Sequence, residues 1–219
     1  MWSDSELLAW KTYNYKYAMK KKWLKTPNPW LRTENFEGYV KTYYDNLLQY
    51  FTRFRNDYFI ETGTHLGNGT KTALDAGFKF CHTIEIHQNL WQDACKRFMP
   101  EIMTGQVICY HGDSAVILPG IISNQLQVPA TFWLDAHISS NYGDQLAKNC
   151  PIFEELDAID RHQIKTHTIM IDDVACFDNK AHDNIPLEQV KQRILQINPD
   201  YKFEFLDAHL PGNILVAYI

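Results

Sequence analysis

The sequence lacks the patterns that mark disulfide-stabilised, zinc-binding and membrane proteins. Its five cysteines are scattered and no two form a Cys-x-x-Cys pair, so we expect reduced thiols and a cytoplasmic protein. No apolar run approaches the roughly 18 residues that a membrane helix needs, and residues 1–10 do not show a basic segment followed by an apolar one. The net charge of −5 argues against general nucleic-acid binding, which requires an excess of positive charge.

The length and composition favour one globular domain preceded by an extension. The chain has 219 residues, 45% of them hydrophobic, which is enough for a sizeable core. Residues 1–56 are rich in lysine and aromatic side chains, and their spacing predicts a helix from about Asn35 to Arg53. We interpret 1–56 as an N-terminal helical extension, either a cap on the core or a lid over a pocket. Residues 57–219 form the predicted catalytic or binding domain.

Beyond the extension, short β-forming runs alternate with helical patterns. The predicted strands are 58–61, 82–86, 106–110, 130–134, 167–171, 201–206 and 214–219. The first five alternate with helices, which favours right-handed βαβ units and a parallel sheet. The gap between the last two cannot hold a crossover helix, so we expect that pair to be antiparallel. The pattern predicts an α/β fold.

The stretch 58–70 reads as a strand, a glycine loop and the start of a helix. Gly63 and Gly67 allow the backbone to turn tightly and to approach a ligand closely, and ligands of open α/β sheets bind at the carboxyl ends of strands. The spacing differs from the dinucleotide fingerprint. Glu61, just before the glycines, would repel a pyrophosphate and suits a ligand with hydroxyls or positive charge. A purely structural turn is the alternative.

Two further positions suggest a nucleoside site. Glu85 ends the second strand about twenty residues after the loop, where a carboxylate can accept both ribose hydroxyls; the alternative is a surface glutamate. Asp113 and Ser114 follow the third strand and could bond an adenine edge. A helix N-cap is the alternative for both residues.

Two hydrophobic strands end abruptly in carboxylates. Asp135 follows the fourth strand, and Asp172 and Asp173 follow the fifth. In a parallel sheet these ends converge, and neighbouring carboxylates raise one another's pKa unless something compensates their charge. A divalent cation with oxygen ligands would do so; helix capping and loop solvation are the alternatives. His137 lies beside them and is a candidate general base near neutral pH, or else a histidine that binds water.

This arrangement resembles the class I S-adenosylmethionine-dependent methyltransferases over roughly residues 57–219. That fold has a seven-stranded, mostly parallel Rossmann-like sheet of order 3-2-1-4-5-7-6, with strand 7 antiparallel. The motifs look most like those of the metal-dependent O-methyltransferases of the catechol or macrocin type. They are Glu61-x-Gly63-x-x-x-Gly67, Gly112-Asp113-Ser114, Leu134-Asp135 and Asp172-Asp173.

The resemblance implies a cofactor, a metal and a reaction. S-adenosylmethionine would contact Glu61, Gly63, Thr64, Gly67, Glu85, Asp113, Ser114 and Asp135. Mg²⁺ would be held by Asp135, Asp172 and Asp173, and it would hold two adjacent oxygens of the acceptor. The reaction would be a Mg-dependent O-methylation, for which we predict Asp135 and, from its own chemistry, His137 as the catalytic residues.

One departure leaves the acceptor and the base open. The catechol type has a lysine base where this sequence has Ile138, directly after His137. We expect a small hydroxylated acceptor as the partner, with a homodimer left open. The alternatives are a methyltransferase without metal that acts on a nitrogen or a macromolecule, an enzyme of another reaction class, and a binding module without catalysis.

Overall fold

The computed structural model describes residues 36–137, 149–178, 182–208 and 210–219. The chain divides into two units, Met1–Asp45 and Asn46–Ile219. Most of the predicted cap or lid therefore lies outside the described residues, and the domain boundary predicted between residues 56 and 57 stays a prediction.

Strands and helices alternate along the chain. The strands are β1 Tyr58–Thr62, β2 Phe80–Glu85, β3 Val107–His111, β4 Ala130–Leu134, β5 Thr168–Ile171, β6 Lys202–Leu206 and β7 Ile214–Tyr218. The helices are α1 Phe36–Arg53, α2 Asn68–Asp75, α3 Gln88–Arg97, α4 Met99–Met103, α5 Ser114–Gln125, α6 Ile152–Arg161 and α7 Leu187–Ile197, with a 3₁₀ turn at Val174–Cys176. No helix in these described stretches is long and apolar enough to cross a membrane.

The strands form one sheet in the order β3-β2-β1-β4-β5-β7-β6. Strands β1 to β5 pair in parallel, and β7 runs antiparallel to both β5 and β6. The predicted strand order and the predicted reversal of strand 7 are therefore confirmed. In this order β1 and β4 are neighbours, as are β4 and β5, so the carboxyl ends of three central strands meet at one edge.

Burial on both faces explains why the central strands are nearly continuous apolar runs. Every residue of β4 and of β5 is buried. On one face Phe51 packs between Phe59 and Trp133, with ring centroids 4.9 and 5.1 Å away. On the other face the core contains buried side chains of α5, α6 and α7. The site at the strand ends consequently rests on a rigid scaffold.

A pair of histidines, one buried and one half-buried, lies at the amino ends of β4 and β5. His167 is fully buried; its Nδ1 accepts a hydrogen bond of 3.0 Å from the Ala130 backbone N–H. Its Nε2 therefore carries the proton and lies 2.9 Å from Nδ1 of His162. Burial, together with the neighbouring His162, lowers the pKa of His167 to about 4. The folded protein thus keeps this imidazole neutral.

Acidification should destabilise the fold through His167. An unfolded chain protonates this residue near pH 6.5, whereas the folded chain resists protonation until about pH 4. The stabilisation is present above pH 6.5 and is lost as the pH falls towards 4. Between pH 7.5 and 5.0 the free energy of unfolding should fall by about 2 kcal/mol from this residue.

Urea unfolding at both pH values, in wild type and in His167→Asn, measures this contribution. Asparagine keeps an acceptor for Ala130 but does not titrate, so the variant should be less stable at pH 7.5 and lose less on acidification. An equal loss in both proteins would contradict the role of His167.

Candidate functional site

The glycine loop after β1 lies against the ends of both neighbouring strands. Gly63, at φ 83°, donates its N–H to the carbonyl of Ile84 at 2.9 Å, and Thr64 donates to the same oxygen at 3.1 Å. A Cβ at Gly63 would lie 2.5 Å from the carbonyl oxygen of Asp135. Only a residue without a side chain can therefore bring the loop so close to the end of β4. The predicted Gly63, Thr64 and Asp135 are brought together here.

Glu85 joins the loop to the end of β2. One carboxylate oxygen accepts a 2.7 Å hydrogen bond from the His65 N–H, and the other accepts one of 2.9 Å from the His87 N–H. Each carboxylate oxygen has a second lone pair, so the side chain can still accept hydrogen bonds from a ligand. The side chain is oriented by the two backbone donors before any ligand arrives.

Glu61 lies underneath the loop. It is only 1% exposed, and its Oε2 accepts hydrogen bonds from the hydroxyls of Thr70 and Thr83 at 2.5 and 2.6 Å. Burial raises the pKa of Glu61 to about 7. The Thr64 hydroxyl continues this chain, 2.5 Å from that of Thr83. These contacts make Glu61 a support for the loop, while its predicted contact with the cofactor stays a prediction.

Gly67, Asp113 and Ser114 lie at the N-termini of helices. Gly67 is the N-cap of α2 at φ 77°, and a Cβ there would lie 2.7 Å from the ring of Phe98. Asp113 is the N-cap of α5, where its Oδ1 accepts a 2.9 Å hydrogen bond from the Ala115 N–H. Ser114 is buried and is the first residue of α5. Both residues lie at the carboxyl edge, and Asp113 has the capping role that the sequence offered as an alternative.

His137 lies between two of the predicted metal-binding aspartates. Its Nδ1 is 3.3 Å from Oδ1 of Asp135, and its Nε2 is 3.1 Å from Oδ2 of Asp173. The other oxygen of Asp173 accepts a 2.7 Å hydrogen bond from Asn213. The potential ligand atoms of Asp135, His137 and Asp173 all lie within 4.8 Å of one another. We call these three residues the Asp-His-Asp cluster.

Asp172 supports this cluster from below. It is buried, and its Oδ1 accepts a 2.8 Å hydrogen bond from the Asp173 N–H. Asp173 adopts a left-handed conformation with φ 56°, which is uncommon for a residue other than glycine. The contact holds Asp173 in this conformation, which turns its carboxylate towards His137.

Electrostatics couple the members of the cluster. Burial raises the pKa of Asp135 well above its usual range, and the charge of Asp172 adds to the shift. Burial alone would lower the pKa of His137, but the carboxylates of Asp173 and Asp135 outweigh it and raise this pKa to about 9. A proton on His137 is therefore the internal counter-charge for the neighbouring carboxylates.

The sequence analysis missed two buried side chains beside the cluster. His182 is 3% exposed and Glu155 is 1% exposed; both line a small cavity with Asp135, His137 and Asp172. Among the described residues, neither ring nitrogen of His182 has a hydrogen-bond partner, nor does Oε1 of Glu155. Glu155 could have been found from the sequence, because it is an acidic residue on the apolar face of α6. His182 has no comparable signal, because it lies in a polar loop after β5.

The close approach of the loop to β4 can be tested with alanine substitutions. Gly63→Ala should lower the free energy of unfolding by about 2–4 kcal/mol, because it combines the strain of a positive φ with overlap against the Asp135 carbonyl. Gly105→Ala is the matched control: Gly105 has a similar φ of 76°, with no described atom within 4 Å of the added Cβ. Gly105→Ala should lower the free energy of unfolding by about 1–2 kcal/mol. Equal losses in urea unfolding would contradict the close approach.

The comparison with solved structures supports this fold. The sequence matches no protein-family model and no curated protein. The O-methyltransferase TomG of Streptomyces achromogenes, involved in tomaymycin synthesis and solved with SAM, is similar in structure with a TM-score of 0.55 at 14% identity, over 79% of this chain and 77% of that one. An O-methyltransferase of Bacillus cereus solved with SAH has a TM-score of 0.54 at 14% identity, over 81% of each chain. An SAH-bound methyltransferase of Podospora anserina has a TM-score of 0.53 at 11% identity, over 78% of this chain and 75% of that one. With its strand order, the chain therefore has the fold of the class I S-adenosylmethionine-dependent methyltransferases.

Proposed function

We propose that the protein is an S-adenosylmethionine-dependent methyltransferase that methylates an oxygen of a small hydroxylated acceptor with the help of a divalent cation. The observation that carries the proposal is the meeting of three features at one edge of the sheet: the glycine loop, the Glu85 carboxylate and the Asp-His-Asp cluster. Solved neighbours with this fold contain SAM or SAH. Because fold alone does not determine function, the proposal rests on the site.

The residues around the loop fit the cofactor. Glu85 is oriented by two backbone donors and retains acceptor capacity, which suits a ribose diol. Gly63 lets the loop backbone lie directly against the end of β4, which brings Glu85 and the Asp-His-Asp cluster to the two sides of one loop. Asp113 and Ser114 lie at the neighbouring strand end, where the adenine would be expected. In this proposal S-adenosylmethionine supplies the activated methyl group.

The Asp-His-Asp cluster fits the acceptor end of the reaction. Its two carboxylates can hold a cation such as Mg²⁺ or Mn²⁺, which would lower the pKa of an acceptor hydroxyl. S-adenosylmethionine held by the loop and Glu85 would supply the methyl group to the acceptor oxygen, and its sulfur would leave as the thioether of S-adenosylhomocysteine. With a cation in place of the proton on His137, the hydroxyl proton would pass to His137 or Asp135, the two predicted catalytic residues. What these side chains contribute is position and a proton acceptor.

A second candidate is a methyltransferase that uses no metal and acts on a nitrogen or on a macromolecule. The observation in its favour is the position of His137, because a histidine between Asp135 and Asp173 can balance their charge without a cation. Dependence of turnover on a divalent cation separates the two candidates.

The cofactor assignment predicts the effect of one substitution. Wild type should bind S-adenosylmethionine in the micromolar range, about −8 kcal/mol. Glu85→Gln should weaken binding by about 1–3 kcal/mol, because it removes the charged acceptor and keeps an oxygen for only one of the two backbone donors. The control is Glu204→Gln in β6, whose carboxylate pairs with Arg53. Calorimetry that gave the same affinity for wild type and Glu85→Gln would refute the assignment.

The metal assignment predicts that chelation abolishes turnover. Removing divalent cations should reduce methyl transfer at least tenfold without changing cofactor affinity, and adding Mg²⁺ or Mn²⁺ should restore it. Asp173→Asn should reduce turnover similarly, whereas Asp200→Asn, an exposed aspartate elsewhere, should not. Full activity of wild type in chelator would favour the metal-free candidate.

A further inference from the structure

The geometry points to a mixed carboxylate–imidazole cation site instead of a site of oxygen ligands alone. We infer that Asp135, His137 and Asp173 bind the cation directly, that His182 supplies a further nitrogen ligand, and that the site binds Mn²⁺, Fe²⁺ or Co²⁺ in preference to Mg²⁺. The inference rests on the proposed function for its premise that a cation acts at this edge of the sheet.

The spacing of the donor atoms supports direct coordination by His137. Ligand atoms around one cation lie about 3–4 Å apart when each bond is about 2.1 Å long. Nδ1 of His137 lies 3.3 Å from an oxygen of Asp135, and its Nε2 lies 3.1 Å from one of Asp173. One ligand atom from each of the three residues lies within 4.8 Å of the other two. A cation that replaces the proton between His137 and one of these aspartates therefore meets an imidazole nitrogen and a carboxylate oxygen, with the second carboxylate close by.

The neighbours of Asp173 hold it ready to coordinate. Asn213 donates to Oδ1, and Asp172 binds the backbone N–H. The other carboxylate oxygen, Oδ2, lies 3.1 Å from Nε2 of His137. Such contacts around a ligating carboxylate fix its orientation and are typical of metal sites. Asp172 thereby acts as a positioning residue in this account, although the sequence placed it among the ligands.

His182 is the second, independent observation. Its ring centroid lies 4.7 Å from that of His137, and its side chain faces the same cavity as Asp135 and Asp172. A buried imidazole whose two nitrogens find no partner in the described part of the chain is costly. Coordination of a cation in the cavity would satisfy one of them.

The donor set determines the preferred cation. Mg²⁺ selects oxygen ligands and retains its waters, whereas imidazole suits later divalent metals, with affinity rising from Mn²⁺ through Fe²⁺ to Co²⁺. Two carboxylates with one or two imidazoles should therefore bind Co²⁺ at least ~10-fold more tightly than Mg²⁺. A site made only of aspartates would show a much smaller difference.

The test is a calorimetric titration of the metal-free full-length protein with Mg²⁺, Mn²⁺ and Co²⁺, with Co²⁺ binding also followed by its visible absorption. Wild type should bind Co²⁺ at least ~10-fold more tightly than Mg²⁺, with a d–d spectrum typical of nitrogen ligation. His137→Asp, which makes the cluster all-oxygen, should lower this ratio by about an order of magnitude. His182→Gln should weaken Co²⁺ binding and leave Mg²⁺ binding unchanged.

His111→Gln is the matched control, because His111 is exposed and stacks on Trp91 away from the cluster. His111→Gln should change neither the Co²⁺ affinity nor the Mg²⁺ affinity. Equal affinity of wild type for Mg²⁺ and Co²⁺, or a ratio unchanged by His137→Asp, would overturn the inference. The comparison of Mg²⁺ and Co²⁺ affinities in the wild-type protein tests the inference even if a variant fails to fold. If no cation binds but S-adenosylmethionine binds and its methyl group is transferred, the cation inference fails and the methyltransferase assignment stands.

Discussion

Negative charge concentrated at the ends of β4 and β5 is the constraint on which the candidate site depends. Asp135 and Asp172 are held close together by neighbouring parallel strands, and burial makes their charges costly. Two positive charges can offset this cost: a proton on His137, whose pKa is raised to about 9, or a cation. Both would occupy the space between Asp135 and Asp173, so the same geometry explains the protein with and without a metal.

The edge beside the glycine loop, where we propose that the cofactor binds, contains a second pair of carboxylates with different roles. Glu61 accepts hydrogen bonds from threonines of α2 and β2 and supports the glycine loop from below. Glu85 accepts backbone hydrogen bonds from both sides and remains able to accept more. Gly63 then connects this half to Asp135. The loop therefore links the cofactor side to the acceptor side within a few ångströms.

The succession of strands and helices could be predicted from local patterns, whereas the strand order came from the resemblance to the class I methyltransferases. The run of buried residues in β4 and the short gap before β7 were sufficient to predict parallel pairing and the final reversal. The adjacency of β4 and β5 in that order predicted that the carboxylates of Asp135, Asp172 and Asp173 would converge. The sequence did not determine which of Asp172 and Asp173 turns towards His137, because that depends on the left-handed conformation of Asp173 and on Asn213, 40 residues away.

The sequence analysis could not predict in which direction a side chain points or which distant residues become buried together. A glutamate before a glycine loop can point towards a ligand or beneath the loop, and the partners that hold Glu61 below it lie on two other elements. His182 becomes part of the site only because its loop packs against Phe177 and His137. Fold and motif likewise do not identify the acceptor that we propose, because function depends on the site and not on the fold.

The most direct measurement of the central claim follows a methyl group. The full-length protein is incubated with S-adenosylmethionine labelled in its methyl group and with pooled small hydroxylated compounds, and the label is traced to its acceptor. The account predicts label in a small molecule as a base-stable ether, with one molecule of S-adenosylhomocysteine formed for each methyl group transferred. Tight cofactor binding with no label transferred to any pool, or transfer only to nitrogen or to a macromolecule, would contradict it.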